Sequence, residues 1–260
     1  MTLIELIESA SFSPSGLSVE LPVAWTQGRT GYGGITAALS LAAAQGLADG
    51  RPLRSAMIAF VGPSAGTLDV EAEVLRSGRN ASSIRSRLHS SSGPGVDALF
   101  TFSANRDSIL NQPGGAAPLE APAPDAQGLP FRDGAPEFTR HLEFLWAGDK
   151  IPFTGSDSAE VRAWVRHRDP ASRDHPLALM CLADALPPAI SMTLPNFAPL
   201  SSMTWMVDFH ADEPQTENGW WLLEARSDFA TGGHSSQDMS IWNTRGECVA
   251  KGRQMVTVFA

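Results

Sequence analysis

Residues 29–48, RTGYGGITAALSLAAAQGLA, restrict the fold of this chain more than any other stretch. After Gly31, Gly33 and Gly34 comes a run that is apolar on every side: Ile35, Ala37, Ala38, Leu39, Leu41, Ala42, Ala43 and Ala44, broken only by Thr36, Ser40 and Gln45. A helix without a polar face has no side to turn to water and has to be covered. Most of its side chains are methyl groups, so other backbone can approach it closely, and the segments that follow read as strands. The pattern therefore predicts a central helix enfolded by a sheet. Its glycine-rich start leaves amide donors free at the positive end of the helix dipole, which makes Gly33 and Gly34 candidate ligand contacts. The same glycines are explained equally well by tight packing of the chain where a buried helix begins.

Around this helix the periodicity is mostly that of strands. Residues 3–9 predict a short helix and Leu17 to Leu21 a strand. Leu53 to Val61 predicts another, ended by the turn GPSAG at 62–66. TLDVEAEVL at 67–75 puts Leu68, Val70, Ala72 and Val74 on one face and its charges on the other, the period of two expected of a half-buried strand. Further strands are expected from 81 to 89 and from 96 to 103, joined through SSSGPG. GPSAG matches G-x-S-x-G, but a nucleophile elbow needs a helix directly after its serine, and the strand period of 67–75 argues against Ser64 in that role.

From 105 to 136 proline, glycine and alanine crowd the chain without any period, which predicts a connector between two halves. The second half repeats the order of the first. Strands near 139–146 and 160–165 lead to an apolar helix over Pro176 to Leu186, in which Asp184 is the one charge and which Pro187 and Pro188 end. Strands follow at 203–210, 220–226, 235–243 and 248–259. One helix and four antiparallel strands, twice over, is the plainest account, with units at 1–105 and 137–260 and a linker at 106–136.

Composition excludes several classes. A formal charge of −9, with the basic residues scattered apart from Arg162, Arg166 and Arg168, leaves no nucleic-acid footprint. The two cysteines, Cys181 and Cys248, lie in apolar segments and read as buried thiols. The six histidines show no metal-binding spacing, so no metal is expected. Residues 1–10 are acidic and lack the basic region of a signal peptide, and the helix after Gly34 is too short to span a bilayer. A cytoplasmic protein without membrane insertion is expected.

Four motifs carry a resemblance: Trp25 with GYGG at 31–34, EVLRSGRNASSIRSRL at 73–88, LADALPPAI at 182–190 and RGECVAKGRQ at 245–254. In order and separation they resemble the thioesterase-like superfamily, whose members have an α+β double hotdog fold, and more narrowly the branch related to bacterial acyl-CoA thioesterase II. The resemblance implies hydrolysis of a medium- or long-chain fatty acyl-CoA by an activated water, without metal or organic cofactor, as part of fatty acid metabolism. It also implies pairing of copies into a homodimer or larger homo-oligomer. In such enzymes an Asp, a Thr or Ser and a Gln, all from the second half, hold the water. The Gln falls on Gln254 and the Asp position on Thr204, while the Thr or Ser position falls on Ser227 or its neighbour Asp228, depending on one gap.

Thioester hydrolysis needs a proton acceptor, an oriented water and donors for the oxyanion. The expected catalytic set is Asp228 as base with Gln254 and Thr204 orienting the water. Gly33, Gly34, Tyr32, His210 and Ser227 are the expected substrate contacts. Three of these have a plainer reading: Asp228 as a turn residue, Gln254 as a polar residue on a solvated strand and His210 as a satisfied strand histidine. Trp164, Arg166 and Arg168 read as an exposed basic edge, or as a contact for the phosphates of coenzyme A. An acyl-CoA binder that lost its base at position 204 is the alternative to an enzyme. A hydratase would need an Asp and His pair that the sequence does not show at dehydratase-like spacing.

Overall fold

The computed structural model describes residues 1–148 and 151–260. Helix α1 (Leu3–Ser9) opens the chain, followed by strands β1 (Ser11–Ser13) and β2 (Gly16–Leu21) and a small hairpin of β3 (Thr26–Gln27) and β4 (Thr30–Gly31). Helix α2 (Gly33–Gln45) comes next, and then β5 (Leu53–Phe60), β6 (Gly66–Ser77), β7 (Ala81–Ser90) and β8 (Gly93–Ser103). After a long segment without helix or strand come β9 (Leu142–Trp146), β10 (Glu160–His167) and the short helix α3 (Ala178–Leu182). Four strands finish the chain: β11 (Leu200–Phe209), β12 (Trp221–Thr231), β13 (His234–Trp242) and β14 (Cys248–Val258).

Apart from the β3–β4 hairpin, the strands form one sheet of 12, ordered β1-β2-β6-β7-β8-β5-β11-β14-β13-β12-β10-β9. Its centre is the antiparallel pairing of β5 with β11, from Thr204 opposite Ala59 to Asp208 opposite Ser55. This pair joins the strands that precede the long segment to those that follow it. No helix is long and apolar enough to cross a membrane among the described residues.

Helix α2 is covered as its sequence requires: Ile35, Ala37, Ala38 and Leu39 are all fully buried. It packs on β6, β7, β8 and α3. On β6 the period of two puts Leu68, Val70 and Ala72 against the core and leaves Asp69, Glu71 and Glu73 in water. The small side chains of α2 let α3 come very close. A Cβ at Gly34 would strike the Cys181 carbonyl and the Tyr32 ring.

Three sequence expectations change here. The helix expected over 176–186 is only five residues long. The Tyr32 hydroxyl donates to the Cys181 carbonyl at 2.6 Å, and the Ala185 amide turns to Leu182 instead. Pro187 then disfavours the helical region for Leu186. The strand expected from 139 begins as a 3₁₀ turn, Glu137–His141, before β9. The basic edge at 164–168 is not exposed over most of its length, since Trp164 and Arg166 are buried. Arg166 pairs with Glu143 at 2.9 Å and lies over the Trp220 ring, 4.3 Å from its centroid.

The connector has a packing role. Along β10 and β12, Ala163, Val165 and Leu223 face the main core, and Trp164 and Leu222 point to the opposite side of the sheet. There they meet Trp220 and Trp242, and Ala117 and Leu119 of the connector pack on the cluster. Trp242 Nε1 donates to the Gly115 carbonyl at 2.7 Å, and the Ala117 amide to Gly246 at 3.1 Å.

Candidate functional site

A cavity of about 710 Å³ opens at the start of α2, lined among others by Gly33, Phe60, Leu186, Asp184, Ser202 and Gln254. Its Asp184, Ser202 and Gln254 side chains come from the turn after α3, the start of β11 and β14, and they face the first turn of α2, the end of β5 and the β3–β4 hairpin. The early end of α3 is what brings Asp184 here. Its Oδ2 and the Phe60 ring occupy the space that a Cβ on Gly33 would need. Among the described residues the Gly33 and Gly34 amides take no backbone or side-chain acceptor outside their own helix.

The polar groups form one connected chain. Gln254 Nε2 donates to Asp184 Oδ1 at 2.8 Å and to Ser202 Oγ at 2.9 Å. Gln254 Oε1 accepts from Gln237 Nε2 at 2.7 Å, and Gln237 Oε1 accepts from the Ala189 amide at 2.7 Å. Burial pushes the Asp184 carboxyl up to about 7, against the opposing pull of the Gln254 donor. A carboxyl at that value is divided between its two forms near neutral pH and can both take and return a proton. Ser202 Oγ accepts from Gln254, which leaves its own proton for a ligand or water.

Of the expected residues, Gln254 and Gly33 lie on this cavity. Thr204 does not, because β11 has a bulge. Ser202 pairs with Val256 and Thr204 with Met255, so Met203 is the extra residue. Neighbouring strand residues point to opposite faces. The bulge thus puts Ser202 on the face of Gln254 and Val256, and turns Thr204 outward. Thr204 shares its side of the strand with Met206, Asp208 and His210, and all four are exposed on the outer side. His210 Nδ1 lies 3.3 Å from the Cys248 carbonyl oxygen.

Asp228 is also outside. It sits at a bulge in β12, accepts from the Ser236 hydroxyl at 2.7 Å and pairs with Arg253 at 2.8 Å. The hydroxyl and guanidinium donors hold its carboxyl below the usual carboxylate range. Ser227 donates to the Phe229 carbonyl at 3.2 Å and lies 2.9 Å from the Ser235 hydroxyl. Tyr32 is fully buried, with its ring stacked on Phe138 at 3.9 Å. It and Gly34 anchor α2 to α3 and do not line the cavity.

Asp184, Ser202 and Gln237 join Gln254 in this hydrogen-bonded chain and are absent from the expected set. Asp184 carried a signal, as the only charge in an apolar segment and a member of LADALPPAI. Ser202 carried none, since its orientation depends on the bulge. After GPSAG the chain enters β6 with no helix after Ser64. No group of three or more His, Cys, Asp or Glu is placed to hold a metal ion among the described residues.

Two family models match: the acyl-CoA thioesterase N-terminal domain over residues 21–103 and the acyl-CoA thioesterase C-terminal domain over residues 113–258. No curated protein matches the chain. Among solved structures it is similar to a hot dog fold protein of unknown function from Alicyclobacillus acidocaldarius, with a TM-score of 0.86 and 20% identity over 100% of this chain and 99% of that one. It is also similar to acyl-CoA thioesterase II TesB2 from Mycobacterium marinum, with a TM-score of 0.75 and 20% identity over 99% and 98% of the two chains. The tesB protein of Mycobacterium avium subs paratuberculosis gives 0.73 and 19% identity, over 100% of both. At these identities the likeness carries the fold, which is the hotdog fold.

Proposed function

This chain belongs to the acyl-CoA thioesterase family, and we propose that it hydrolyses medium- or long-chain acyl-CoA to the free acid and coenzyme A through a water activated by Asp184. The observation that carries this reading is the meeting of Asp184, Ser202 and Gln254 on one cavity. A carboxylate, a hydroxyl and a glutamine are the groups that the family resemblance calls for, supplied from positions other than Thr204 and Asp228. In our reading the chain is a double hotdog of two units, 1–105 and 137–260, with 106–136 as linker. The site then lies where the units join, the first giving the helix start and the second Asp184, Ser202 and Gln254. An acyl-CoA substrate suits a cytoplasmic enzyme.

The chemistry balances with these groups alone. A water held by Ser202 attacks the thioester carbonyl carbon while its proton passes to the Asp184 carboxylate. The Gly33 amide, at the positive end of α2 and on the cavity lining, stabilises the oxyanion that forms. As the tetrahedral intermediate collapses the C–S bond breaks, and Asp184 returns the proton to the departing thiolate. Phe60, Val61, Leu186 and Leu200 offer apolar surface for the acyl chain, and Arg29, also on the cavity lining, meets the phosphates of coenzyme A.

The non-catalytic alternative rested on a missing carboxylate. Asp184 supplies one, so the enzyme reading is preferred. The test is a ladder of acyl-CoA lengths given to the purified protein, with released thiol as the readout. Thiol release that favours medium or long chains is expected, and no release at any length overturns the reading.

A further inference from the structure

Gln237 is buried behind the site and does not line the cavity. We infer that Gln237 is a positioning residue: its hydrogen bonds to the Ala189 amide and to Gln254 fix which end of the Gln254 amide faces Asp184 and Ser202. The inference rests on the proposed reading of the site and deepens it.

A glutamine amide can be turned end for end in nearly the same space, so shape alone does not orient Gln254. Only one orientation gives Asp184 Oδ1 and Ser202 Oγ a donor each, at 2.8 and 2.9 Å. Turned over, Gln254 would point its oxygen at the carboxylate. Gln237 rules that out so long as its own amide is fixed, since its Nε2 donates to Gln254 Oε1. What fixes Gln237 is a backbone group: the Ala189 amide can only donate, so the atom 2.7 Å away has to be Oε1. The polarity of the whole chain, from Ala189 through Gln237 and Gln254 to the carboxylate and hydroxyl, follows from one peptide N–H that cannot invert. Gln237 and Gln254 are cross-strand partners on β13 and β14, so the backbone register keeps them together. Both are at most 3% exposed, and water cannot easily replace either bond.

Two substitutions test this. Gln237→Glu keeps the shape and the acceptor for Ala189 but offers Gln254 an oxygen, which favours the reversed amide. Gln237→Met keeps the bulk and removes both bonds. The primary readout is the titration of the Asp184 carboxyl, followed by ¹³C NMR, which requires no turnover. In either variant its midpoint is expected to rise by about one pH unit, because the ionised form loses a donor. The acid limb of the kcat profile should move with it, with kcat falling about tenfold and KM nearly unchanged. Should one variant fail to fold, the other decides. An Asp184 titration unchanged in a folded variant overturns the inference. If the wild-type protein shows no thioesterase turnover, the functional reading fails and the titration still decides the role of Gln237.

Discussion

Arg253 and Gln254 are neighbours on β14, and the two faces of the sheet make different use of them. On the outer face Arg253 reaches Asp228 at 2.8 Å and Asp238 at 2.7 Å, all three well exposed. On the inner face Gln254 is 3% exposed and bonded on every polar atom, and the single carboxylate it touches is Asp184. Charge gathers where water solvates it, and such exposed pairs add little to stability. The inner face instead isolates one acid among neutral donors, where its proton affinity rises toward the working range. What separates the two carboxylates is the side of the sheet they face: Asp228 meets water and a guanidinium, and Asp184 meets the buried Gln254 amide.

Substitutions across the two faces can break this contrast. The largest effect is expected from Asp184→Asn, which should lower kcat by about 100-fold or more. In the wild type kcat/KM should rise with pH through about 7, as Asp184 ionises, and the variant should lose that limb. Stability runs the other way. The folded carboxyl titrates far above its ordinary value, so the stability present below about pH 4 is lost as pH rises through about 7. Thermal unfolding at pH 8 should therefore find Asp184→Asn more stable than wild type, and the difference should vanish near pH 4.

Next comes Gly33→Ala, whose methyl group competes with Asp184 Oδ2 and should lower kcat by roughly 10- to 100-fold in a protein that remains folded by circular dichroism. Ser202→Ala should cost about tenfold in kcat, while Thr204→Val, just past the bulge, should stay within about twofold. Arg29→Ala should raise KM for an acyl-CoA about threefold to tenfold and leave KM for the matching N-acetylcysteamine thioester unchanged, if the guanidinium meets phosphate. The smallest effect belongs to Asp228→Asn, with turnover within about twofold of wild type because its partners are all outside the cavity. A large loss there would reverse the contrast between the faces.

Much of this architecture was readable from periodicity. The all-round apolar run of α2 demanded a cover, and the alternation of 67–75 gave both strand and facing. Gln254 was legible through RGECVAKGRQ. The failures share a cause: each depended on a contact distant in sequence. The bulge at Met203 reverses the side on which Thr204 falls, and no local pattern marks it. Asp184 is visible as a lone charge, but the apolar run around it predicts a continuing helix. That helix stops because Tyr32, from the other half of the chain, takes the Cys181 carbonyl. Arg166 looked like a surface cation until Glu143 and Trp220 closed over it.

The bare Cα at Gly33 has a consequence for how such a protein can change. The position offers no functional group, so a survey of chemistry by side chain would pass over it. Yet the room for the acid is made of atoms that glycine omits, and every other amino acid would fill it. Drift at residue 33 is therefore restricted by an empty volume, and a residue with no side chain decides where the Asp184 carboxyl can sit.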